Sequence, residues 1–66
     1  MEYTNSQIRD LIREYIHSER DRKILFRRMV YGITFERLAE EFDLSPKAVR
    51  SIVHKQEQIL FRHIPG

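Results

Sequence analysis

TFERLAEEFDLSPKAVRSIVHK, residues Thr34 to Lys55, reads as two helices joined by a tight turn. Thr34 and Ser45 each carry a side-chain oxygen that can accept from an otherwise unpaired first-turn amide, so each caps a helix start. Pro46 follows at a first helical position, where a missing N–H costs nothing. Ile33 and Leu44, just before the caps, are spaced to clamp onto Leu38 and Val49 as hydrophobic staples. Glu41-Phe42-Asp43-Leu44 between the helices is too short for anything but a sharp turn. Ala39 is small where the helices should cross. Leu38, Phe42, Leu44, Val49, Ile52 and Val53 should fill the angle between them. This pattern is that of a helix-turn-helix, whose second helix can lie in a DNA major groove.

Working outward, Thr4 and Gln7 fit a capping box, and Tyr3 with Ile8 fits a staple. Ile8, Leu11, Ile12, Tyr15 and Ile16 recur at helical spacing, with Arg9, Asp10, Arg13 and Glu14 on the other side. The spacing predicts a first helix from Asn5 to about His17, covering the apolar side left open by the rest. Ser18, with Asp21 three residues on, can cap a second helix whose apolar residues are Ile24, Leu25, Met29 and Val30. Gly32 should end it, because a residue just past a helix often takes a left-handed backbone angle. A third helix is expected over about Phe35 to Phe42. A fourth is expected from Pro46 to Arg62 or beyond, stopping before Pro65-Gly66. The fold expectation is an all-α, four-helix single domain over residues 1–66, with the helix-turn-helix in its last two helices.

Composition agrees with that outline and narrows the chemistry. With 66 residues and no cysteine, the core must come from aliphatic and aromatic packing alone. Hydrophobic content of 41% is enough for a small helical bundle, and two Gly and two Pro at apparent ends leave little room for a β-rich fold. The net charge is +2 and the pI near 9.3, so bulk charge alone argues weakly for a nucleic-acid partner and its placement matters more. No apolar run approaches the roughly 18 residues of a membrane span, and no signal peptide is evident, so a cytoplasmic protein is expected.

The fourth helix carries the functional information. At about 100° per residue, Val49, Ile52, Val53, Gln56, Ile59 and Leu60 fall on one side, which should face the core. Lys47, Arg50, Ser51, His54 and Gln58 fall on the opposite side, without an acidic residue among them and with Glu57 at the edge. A helix needing only solubility would interleave both signs. The third helix is acidic instead, with Glu36, Glu40 and Glu41, which should face away from any duplex.

Asp21 to Lys55 resembles the DNA-binding part of region four of bacterial sigma factors. The resemblance rests on DRKILFRRMVYG ending in Gly32, on ITFERLAEEFDLS, and on PKAVRSIVHK; the output domains of some response regulators share the outline. It covers about half the chain. It implies a monomeric helix-turn-helix that reads an upstream promoter element in bacterial or phage transcription, often with a contact to RNA polymerase or an activator. One departure is Asp43, where many such turns have Gly; Asp tolerates left-handed angles better than most residues. Another is the lack of a promoter-melting region, so the resemblance implies an excised domain or a small free-standing regulator.

Candidate base contacts are Lys47, Arg50 and Ser51, since Arg and Lys can donate to guanine and Ser adapts to several base edges. His54, one turn further, is within reach of a base or a phosphate. Candidate phosphate contacts are Thr34, at a helix start where free amides welcome an anion, with Arg37 and Lys55. Each also has an ordinary reading, a solvated face for the fourth helix and a plain N-cap for Thr34. Arg27 and Arg28 precede the motif, and being adjacent, at most one should help. His17, His54 and His63 share no i,i+4 face, so neither a metal nor a cofactor is expected. No catalytic motif or Gly-rich phosphate loop is recognisable, so an enzyme is not expected. Phe61 falls near the polar side of the wheel; packing on the first helix is the preferred reading, and an exposed contact for a partner or second copy is the other.

The expected partner is double-stranded DNA. The alternative is a protein-interaction module on the same scaffold, docking on RNA polymerase or another regulator through the acidic third helix or Phe61. A homodimer remains open, because a module this small makes few contacts with DNA alone.

Overall fold

The caps nominated above do start helices. In the computed structural model, which describes residues 3–63, four helices follow one another: α1 Asn5–Tyr15, α2 Glu19–Tyr31, α3 Phe35–Phe42 and α4 Pro46–His63. No strand occurs among the described residues, so the fold is all-α with four helices. Thr4 accepts from the Gln7 amide at 3.1 Å while the Gln7 side chain accepts from the Thr4 amide at 2.8 Å, a complete capping box. Ser18, Thr34 and Ser45 accept from the amides of Asp21, Arg37 and Ala48 at 3.3, 3.2 and 3.1 Å. Gly32 closes α2 with φ 66° and ψ 29°, the left-handed geometry the sequence assigns to it.

The first helix is shorter than expected. It ends at Tyr15, and Ile16 is extended at φ −107° and ψ 120°. Two effects explain the early stop. Turning Ile16 out of the helix sends its side chain into the core, where it is buried. The Arg22 guanidinium then donates to the carbonyls of Arg13, at 2.7 Å, and Ile16, so carbonyls freed at the helix end find partners. The expected stop of the last helix before Pro65-Gly66 lies outside the described residues.

One core joins all four helices. Ile12 and Ile16, Ile24 and Leu25, Leu38 and Ala39, and Val49, Val53 and Leu60 are its buried members. Full burial of each large aliphatic side chain contributes about 1.5–3 kcal/mol, and a chain this small needs most of them. α4 contacts each of the other three helices. Its buried side is the one the 3.6-residue period selects, with Ile52, Gln56 and Ile59 half-buried at the margins.

A polar tie fixes the middle of α4. Asp21, in the first turn of α2, is only 8% exposed. Its carboxylate accepts from Gln56 Nε2 at 2.8 Å and from Arg20 Nε at 3.2 Å. A buried carboxylate needs such donors. The pairing joins residues 35 apart in sequence and holds the middle of α4 to the start of α2.

Candidate nucleic-acid interface

The turn between α3 and α4 is set by Asp43. Its φ of 56° and ψ of 48° are left-handed, and its amide donates to the Ala39 carbonyl. The Leu44 amide reaches the same carbonyl at 2.8 Å. Asp takes the angle usually given to Gly, so the departure noted in the sequence leaves the turn intact. Ile33 and Leu44, before the two caps, are half-buried and pack on the core. α4 therefore leaves the turn with Val49 and Val53 inward and its opposite side free.

That free side carries the candidates. Lys47, Arg50, Ser51 and His54 are all exposed, at i, i+3, i+4 and i+7 of one helix, a span of about 10 Å. Lys55 is exposed as well. Gln58 extends the row by one turn, with its side-chain nitrogen 3.1 Å from His54 Nε2. Glu57 is half-buried at the edge.

α3 brings its own amino end to this face. The Arg50 guanidinium carbon stands 5.6 Å from the ring centroid of Phe35, the first residue of α3. Arg28, on α2, approaches the same ring at 4.5 Å and donates to the Ile33 carbonyl at 3.0 Å. Thr34 is exposed beside Phe35, and while its oxygen accepts from the Arg37 amide, the hydroxyl proton stays available to an acceptor. Arg37, one turn into α3, is exposed too. The contact between Arg50 and Phe35 thus places the amino end of α3 beside the outward row of α4.

Neither of the two adjacent arginines of α2 is free. Arg28 is held by Phe35 and the Ile33 carbonyl. Arg27 donates to Glu41 Oε1 at 2.8 Å and brings Nε within 2.7 Å of Oε2. The Nε–H is not aligned with that oxygen, so the second approach is Coulombic and not a hydrogen bond. The hydrogen bond to Glu41 holds the Arg27 guanidinium above its ordinary value, against partial desolvation. The pair also offsets the charge of one exposed carboxylate of the acidic α3. Glu36 and Glu40 stay exposed.

Sequence reasoning missed Phe35 as the ring between two cations. Its only sequence signal is an aromatic residue directly after an N-cap, which many helices share. Phe61 departs from the preferred reading in part. It is 56% exposed, yet it borders a nearly wholly apolar hollow of about 290 Å³ with Ile8, Leu11 and Met29. Packing against α1 is therefore partial, because the helical period turns Phe61 toward the polar side of α4. His63, two residues on, stacks flat on Tyr15 at 3.8 Å between ring centroids.

No helix among the described residues is long and apolar enough to cross a membrane. Comparison with protein-family models, with curated proteins and with solved structures gives no match to this chain. Its residues and their geometry carry the functional argument.

Proposed function

We propose that this chain is a helix-turn-helix domain that binds duplex DNA in a sequence-specific manner, in bacterial or phage transcription regulation. α4 would enter the major groove by its amino-terminal half. Arg50 and Lys47 would donate to guanine edges, with Ser51 and His54 completing the row. Thr34, Arg37 and Lys55 would hold phosphates on either side. The observation that carries the reading is the contact between Arg50 and Phe35, which sets an exposed cationic helix face beside a capped helix start. One element then reads bases while the other meets the backbone. The resemblance to sigma region four supports the same assignment and adds a contact with RNA polymerase or a regulator.

Selection of preferred duplexes from a random pool, followed by binding of variants, tests the proposal. A single short site would indicate a monomer on DNA, and a palindrome a dimer. Arg50→Ala should weaken binding to the selected site by about 1–3 kcal/mol, with less effect on unrelated duplex. Equal losses on both would make Arg50 a phosphate contact. Affinity should fall steeply with added salt, through counterion release. A pool that yields no preferred sequence, with a flat salt response, would refute DNA recognition.

The second reading is a protein-docking module, favoured by the exposure of Phe61 over its apolar hollow. Amide-shift titration separates the two. Duplex DNA should perturb residues 47–55 under the first reading and leave them unchanged under the second.

A further inference from the structure

A separate groove of about 450 Å³ runs between α1 and α2 and ends at the last residues of α2 and α3. Arg9 and Arg13 line one rim, one helical turn apart on α1. Lys23 and Arg27 line the other, one turn apart on α2. Ile12, Phe26 and Phe42 supply an apolar floor. Among the described residues, no carboxylate lines the groove. Like charges one turn apart oppose helix formation, so neither helix gains stability from these rows.

Among the described residues, three of these four cations lack a close carboxylate partner. Among the described residues, Arg9 and Arg13 have no carboxylate partner within 4.0 Å. Lys23 meets Glu19 only at 3.9 Å, with both side chains largely exposed. Arg27 alone is firmly paired, with Glu41. None of Thr34, Arg37, Lys47, Arg50, Ser51, His54 or Lys55 borders the groove, so its use does not depend on the DNA reading.

We infer that this groove docks an acidic amphipathic segment of a partner protein, with an apolar side chain on the floor and carboxylates against both rims. Charge complementarity selects the sign of the occupant, and the apolar floor selects its anchor. Stacked bases of single-stranded nucleic acid fit less well. The Arg9 guanidinium already covers the Phe26 ring at 5.7 Å, and Tyr31 meets that ring edge-on at 5.9 Å between centroids. Arg9 therefore competes with a base for a face of Phe26, while an aliphatic or aromatic side chain can still fill the hollow beside it.

The test is selection on the full chain from a displayed library of random peptides about 12 residues long, roughly three helical turns. Enriched peptides should carry Asp or Glu flanking a Leu, Phe or Trp. Their amide shifts should cluster on residues 9–13 and 22–31 and spare 47–55. Replacing the peptide's carboxylates with amides, or its anchor with Ala, should weaken binding about tenfold or more. Arg13→Glu with Lys23→Glu should do the same, and Arg13→Gln with Lys23→Gln keeps the test valid if the reversals disturb folding. The proposal is overturned if nothing is enriched, if enriched peptides lack carboxylates, or if their shifts fall elsewhere. It is also overturned if a single-stranded oligonucleotide perturbs the groove more strongly than the peptides do.

Discussion

Asp21→Ala should unlatch α4 from α2, and its cost can be worked from the contacts. The largest loss is the bond from Gln56 Nε2 at 2.8 Å to a carboxylate that is only 8% exposed. A hydrogen bond to a charged group contributes about 1.5–3 kcal/mol. Asp21 also sits in the first turn of α2, where a negative charge gains about 0.3–1 kcal/mol from the helix dipole. The Arg20 pair adds little, since that side chain is 53% exposed. Together these predict a loss of about 2–4 kcal/mol. A domain of 66 residues has about 3–10 kcal/mol in total, so the variant should be strongly destabilised. Urea unfolding followed by far-ultraviolet circular dichroism measures it. Gln56→Ala and the double variant complete a cycle, because both single changes remove the same bond. A coupling of about 1–2 kcal/mol is expected. Additivity within about 0.5 kcal/mol would refute the claim that this bond joins the two helices.

Two further predictions concern the left-handed residues. Gly32 has φ 66° and nothing within 4 Å of where a Cβ would stand, so Gly32→Ala should cost about 1–2 kcal/mol from backbone strain alone, with Gly32→Asn costing less in the same unfolding assay. Asp43→Gly should change stability by no more than about 0.5 kcal/mol, because relief of the left-handed angle is offset by greater freedom in the unfolded chain; Asp43→Ala should cost about 1 kcal/mol.

Much of the fold was legible because it is written in local rules. Thr4, Ser18, Thr34 and Ser45 start helices by bonding amides three residues on, and Gly32 stops one by its own backbone freedom. The inward and outward sides of α4 follow from the 3.6-residue period, so the exposure of Lys47, Arg50, Ser51 and His54 could be read from spacing alone. The period also placed Gln56 on the inner side, but it could not say what would meet its amide there. α1 ends two residues before its apolar spacing suggests, because Arg22, on another helix, supplies donors that let the chain leave the helix early.

The sequence by itself determined where helices begin, which way each is turned, and that one outward row is cationic. Those properties depend on residues within a turn or two of each other, where chain geometry leaves few choices. Only the tertiary structure decided that Asp21 holds Gln56, that Phe35 lies against both Arg28 and Arg50, and that Arg27 is spent on Glu41. It also decided that Arg9 and Arg13 face Lys23 across an apolar floor. These pairings join side chains on different helices, and packing distances, not sequence spacing, determine which of many cations and carboxylates meet.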